Sequence, residues 1–90
     1  MRQLLPGEAS AQARTALARA GFMGLAIDSS LSGTVYVTTR VRVSPGDADR
    51  VLAALRTLSF LVGSGAGWQR VGRSGKAYEV WVQRRVGMAG

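Results

Sequence analysis

The chain has 90 residues, room for one small globular domain and one core. Hydrophobic residues make up 47% and charged residues 19%, the balance of a packed globule rather than of a disordered tail. Cysteine and histidine are absent and twelve Lys+Arg stand against five Asp+Glu, which excludes disulfide frameworks and the common transition-metal sites, while a net charge of +7 attracts polyanions or acidic partners.

A first helix is predicted from Glu8, after a Pro6-Gly7 break, to a stop at Gly21, leaving residues 1–7 as an N-terminal tail. Ala13, Ala16, Leu17 and Ala20 form its apolar stripe, narrow enough for close approach to a partner. "FMGLAIDS" reads as a strand with Leu25 and Ile27 on one face, and "SLSG" as the turn after it. Thr34 to Ser44 is the clearest strand: Val35, Val37, Thr39, Val41 and Val43 face a core, and Thr34, Tyr36, Thr38, Arg40 and Arg42 face away. Ser44, Pro45 and Asp47 then give an N-cap, a proline at the first helical position and an acid near the helix dipole. The second helix is predicted to turn Ala48, Val51, Leu52, Leu55, Leu58 and Val62 inward and Asp49, Arg50 and Arg56 outward, with "VGSGAG" as a flexible connection behind it. Trp68 to Arg73 and Lys76 to Val86 read as a hairpin around "RSGK", in which Gly75 supplies a positive φ. In its last strand Tyr78, Val80, Val82 and Val86 share the core face, and Ala77, Glu79, Trp81, Gln83 and Arg85 the other. Residues 87–90 are read as a C-terminal tail.

The order α-β-β-α-β-β predicts a single α+β domain with a four-stranded, mostly antiparallel sheet and both helices on one face, ferredoxin-like or a permuted variant of it. No stretch reaches the roughly 18–20 apolar residues of a membrane span, and "MRQLLPGEAS" lacks the apolar segment of a secretory signal. The expectation is a soluble cytoplasmic protein without a membrane partner, or one carried in a virion if it is an assembly subunit.

With both helices on one side, the opposite side of the sheet presents Tyr36, Thr38, Arg40 and Arg42 from one strand and Trp81, Gln83 and Arg85 from another. Rings on which bases stack, interleaved with guanidinium groups that neutralise phosphates, make the combination used by nucleic-acid-binding sheets. Tryptophan, tyrosine and arginine are also the residues enriched in protein interfaces, so the same face suits a homo-oligomer or a larger assembly. Eleven of the twelve basic residues are arginine, the side chain that pairs best with phosphate or carboxylate and also stacks on rings; a GC-rich genome produces the same bias. Arg70, Arg73 and Lys76 make the hairpin a second basic feature.

Catalysis has little to work with. Among five acids, only Asp28 stands where a strand meets a loop, and the one nucleophilic arrangement available pairs Ser29 or Ser30 with Lys76. No cofactor and no metal is expected. "VTTRVRVSPGDADRVLAAL" followed by "YEVWVQRR" resembles the strand, proline-glycine turn, helix and returning strand of antibiotic-biosynthesis-type monooxygenases, over roughly Thr34 to Arg85. That resemblance implies a dimeric ferredoxin-like enzyme acting on a small molecule, although here a helix and a strand precede the matched part. "GLAIDSS" is similar to the LAGLIDADG motif of homing endonucleases, but lies in a predicted strand and has serine where that family's metal-binding acid stands. The favoured expectation is a small, basic, non-enzymatic protein contacting nucleic acid through the Arg/aromatic face; the alternatives are an assembly subunit or protein-binding accessory factor using that face, and the dimeric enzyme.

Overall fold

The structure, a computed structural model, describes residues 3–86; the expected C-terminal tail lies outside the described residues. Helix α1 (Pro6–Arg19) starts earlier than expected, because Pro6 occupies the first helical turn, where its missing N–H costs nothing. Leu4, expected in a tail, is buried, and its N–H donates to Val86 O at 2.6 Å. The buried residues of α1 are Ala9, Ala13 and Leu17; Ala16 is half-buried and Ala20 exposed, so the apolar stripe runs along i, i+4, i+8 rather than through Ala16 and Ala20.

Strand β1 (Ile27–Ser32) pairs antiparallel with β2 (Tyr36–Arg42), and residues 33–35 form the turn, with Gly33 at φ 64°. The expected "SLSG" turn is therefore mostly strand, since Ser30, Leu31 and Ser32 continue the ladder opposite Thr38, Val37 and Tyr36. Residues 22–26 precede the strand, and there Phe22 and Leu25 pack on the core from a loop.

A short 3-10 turn at Pro45–Asp47 leads into α2 (Ala48–Leu55). Ser44 holds the N-cap position of that turn in extended conformation, but its side chain makes no capping bond; Asp47 pairs with Arg50 instead. The helix ends at Leu55, well before the predicted Val62. Thr57 turns its hydroxyl back onto Ala54 O at 2.7 Å, and Phe60 takes a left-handed φ of 62° that reverses the chain. Strand β3 (Leu61–Val71) follows at once and contains the whole "GSGAG" segment, which is no flexible connection. Val62, expected inside α2, is a solvent-exposed strand residue. Strand β4 (Gly75–Arg85) returns after a three-residue turn, whose positive φ is supplied by Gly72 at 64° rather than by Gly75.

All pairings are antiparallel and the sheet order is β1-β2-β4-β3. That is the order obtained by moving the first strand of a ferredoxin-like β-α-β-β-α-β chain to its end. Both helices lie on one face, α1 over β1 and β2, α2 over β4 and β3. Beneath them Val41, Val80 and Val82 pack with Ala13, Leu17, Ala48, Val51 and Leu55, and a second cluster joins Leu4, Ala9, Val37 and Val86. Each fully buried valine or leucine contributes about 1.5–3 kcal/mol relative to exposure. One polar chain crosses this interface: Ser10 Oγ donates to Ser29 Oγ at 2.6 Å, and Ser29 and Thr39 hydroxyls bond at 2.8 Å, which satisfies the fully buried Thr39. Among the described residues no helix is long and apolar enough to cross a membrane.

Candidate functional site

The ladder registers put seven residues singled out in the sequence on the uncovered face of the sheet. Cross-strand rows run Arg42–Glu79–Gly67, then Asp28–Arg40–Trp81–Gly65, then Ser30–Thr38–Gln83–Gly63, then Ser32–Tyr36–Arg85. The alternation in β4 holds because the register irregularity of its pairing with β3 lies in β3, between Leu61 and Gly63, and leaves the phase of Trp81 untouched.

Trp81 owes its position to the glycines of β3. A Cβ on Gly65 would stand 2.7 Å from Trp81 Cζ2 and 2.9 Å from Nε1, and one on Gly63 would stand 3.7 Å from Cζ3. The indole therefore lies across the bare backbone of the edge strand and is half-buried there. Its neighbours form a polar floor. Thr38, buried although it is on this face, bonds Ser32 Oγ at 3.1 Å and accepts from Gln83 Nε2 at 3.5 Å. Arg40 reaches Ser30 Oγ at 3.4 Å, and a cleft of about 280 Å³ opens between Arg40, Gln69, Trp81 and Gln83.

The three cations of the face differ in freedom. Arg42 Nε lies 3.7 Å from Glu79 Oε2, the cross-strand pair that the acid's position suggests. Arg40 is exposed opposite Asp28, which the register places inside β1 rather than at a loop junction. Arg85 is exposed beside Tyr36 with no acid across from it. The hairpin is less compensated: Arg70, Arg73 and Lys76 are all exposed, and no acidic residue occurs from Ala66 to Tyr78. Arg70 and Lys76 face each other across it, next to Trp68 and Tyr78, whose rings meet edge-on at 5.4 Å. Trp68 is 59% exposed, since the hairpin runs out past the helices.

Catalytic groups are not brought together. Ser29 is taken up by Ser10 and Thr39, Ser30 accepts from Arg40, and Lys76 sits at the far end of β4, with β2 between that strand and β1. Among the described residues no three acids cluster as a metal site would require.

Sequence reasoning missed Arg84. By alternation it falls on the core face between Val82 and Val86, and it is 2% exposed. Its Nε donates to Ser59 O at 3.0 Å, while Nη1 is enclosed with no partner among the described residues. Burial pulls its guanidinium below the ordinary arginine range. The signal was present in the strict period-two reading of "VWVQRRV", which puts the first arginine inward.

Comparison of the chain with protein-family models, with curated proteins and with solved structures finds no match.

Proposed function

We propose that the protein is a small basic binding domain that holds single-stranded nucleic acid on its open sheet face and β3–β4 hairpin. The observation behind this reading is the indole of Trp81, laid over the Gly63 and Gly65 backbone within a row that includes exposed Arg40, with Arg85 and Tyr36 two rows further along the same face. A base stacks on such a ring with little regard to sequence, and an arginine at one base's distance takes the phosphate. The hairpin, with three cations and no acid, adds positive charge beyond the sheet, although alternation turns Arg70 and Lys76 to the helix side. Arg42, already paired with Glu79, contributes less than Arg40 and Arg85.

A second reading, self-assembly as a subunit of a larger particle, has its own support. Strand β3 is an edge strand of 11 residues whose outer hydrogen-bonding groups have no strand partner among the described residues, and exposed Phe60 and Val62 stand at its start. The dimeric-enzyme reading has less support, since apart from Tyr36 and Trp81 the face that would meet a second copy is lined by polar and charged side chains.

Titration of a labelled mixed-sequence oligonucleotide against salt tests the first reading. Arg40→Ala with Arg85→Ala, and separately Arg73→Ala with Lys76→Ala, are expected to flatten the log–log salt slope by about 0.7 for each phosphate no longer neutralised. Trp81→Leu is expected to weaken binding by about 1–3 kcal/mol without changing that slope. An affinity and slope indifferent to all three variants overturns the assignment.

A further inference from the structure

On the helix side of the sheet a cleft of about 420 Å³ runs between α1 and the segment that follows α2. Arg84 lines it from β4, Gln12, Thr15 and Arg19 from α1, and Thr57 and Ser59 from the loop; none of the described residues lining it is acidic. The hydroxyls of Thr15 and Thr57 donate to Ala11 O and Ala54 O, so the donors left for a guest are the Arg84 and Arg19 guanidiniums, the Gln12 amide and the Ser59 hydroxyl. Arg84 is the unusual member. A guanidinium removed from water normally faces a carboxylate, and this one has a single backbone carbonyl for Nε and nothing among the described residues for the enclosed Nη1. A buried arginine that lines the cleft and has one terminal nitrogen unpartnered among the described residues, a second arginine at the rim and no acid among the described lining residues make the donor set of an oxyanion site.

We propose that this cleft binds the phosphate or carboxylate group of a small organic ligand, held by Arg84 at its base and Arg19 at its rim. Ala16 and Leu58 give the non-anionic part of such a ligand an apolar wall. The site is separate from the sheet face, because alternation along β4 turns Arg84 and Arg85 to opposite sides.

A useful experiment reads Arg84 itself, since a chain of charge +7 attracts anions everywhere. The Arg84 Nε–Hε pair, already bonded to Ser59 O, is followed by nitrogen-15 NMR while inorganic phosphate or acetate replaces chloride at constant ionic strength. A saturable shift with phosphate assigns a phosphate site, and one with acetate alone assigns a carboxylate site. Arg19→Ala, a surface change, is expected to raise the half-saturation concentration about tenfold, the effect of removing one charge-assisted hydrogen bond. Arg84→Met is expected to abolish the rise in melting temperature given by the effective anion while leaving oligonucleotide affinity unchanged, which separates this site from the proposed nucleic-acid face. No saturable shift with either anion, or equal stabilisation of the wild type and Arg84→Met, overturns the proposal.

Discussion

The missing side chains of Gly63 and Gly65 decide where the largest side chain of the open face lies. Adding one methyl at Gly65 puts it 2.7 Å from the indole, so Gly65→Ala must lift Trp81 off β3 and is expected to cost about 1–3 kcal/mol. Gly67, two residues on, meets nothing within 4 Å and has no positive φ; Gly67→Ala is expected to stabilise by about 0.4–1 kcal/mol through a less flexible unfolded chain. Urea midpoints of the two variants should therefore move in opposite directions at constant m. Arg84 is the reverse case, a side chain the fold would be easier without. Its depressed pKa means that the unfolded state holds the proton more tightly, so stability from this group rises only as strongly alkaline pH begins to neutralise it; at neutral pH its burial is a cost. Arg84→Met should consequently leave the melting temperature unchanged or raise it, in the absence of any added anion.

At the scale of elements, the helix starts are under-capped. Leu5 has the extended backbone of an N-cap residue, φ −94° and ψ 152°, but no side-chain acceptor, and it is 53% exposed. Leu5→Ser is expected to stabilise the protein by about 0.5–2 kcal/mol, whereas Ser44→Ala, at a cap whose side chain makes no bond, should fall short of the ~1 kcal/mol usual for such a loss; thermal melts of both variants check this. The same level shows what was legible beforehand. The valines of β2 determined its faces, and the covered face followed, because period two admits one register against a buried side. The end of α2 was hidden: Leu58 and Val62 continue helical spacing, and only the local turn at Thr57 and the left-handed Phe60 stop the helix at Leu55. Strand β3 was hidden for the opposite reason. "GSGAG" has no side-chain period, and what makes it a strand is its pairing with distant β4, Gly63 opposite Gln83 and Gly67 opposite Glu79.

Across the whole molecule, the open face was legible as a set of residues but not as a set of interactions. Alternation placed Tyr36, Thr38, Arg40, Arg42, Trp81, Gln83 and Arg85 together, but not the burial of Thr38 under its neighbours or the pairing that leaves Arg42 less free than Arg85. The resulting molecule is 41 × 30 × 19 Å, with its helices and their cleft on one side and Tyr36, Arg40, Arg42, Trp81 and Arg85 on the other. Polyanion binding and self-assembly make different demands on that flat surface: the first weakens with salt because counterions compete, while the second buries apolar edge residues and does not. Light-scattering mass across a size-exclusion peak, at low and high salt, with and without a short mixed-sequence oligonucleotide, separates them. The expected result is a monomer of 9.5 kDa that gains the mass of the oligonucleotide at low salt and loses it at high salt. A salt-resistant dimer or larger species that ignores the oligonucleotide would contradict nucleic-acid binding and make the rings of Trp81 and Tyr36 interface residues.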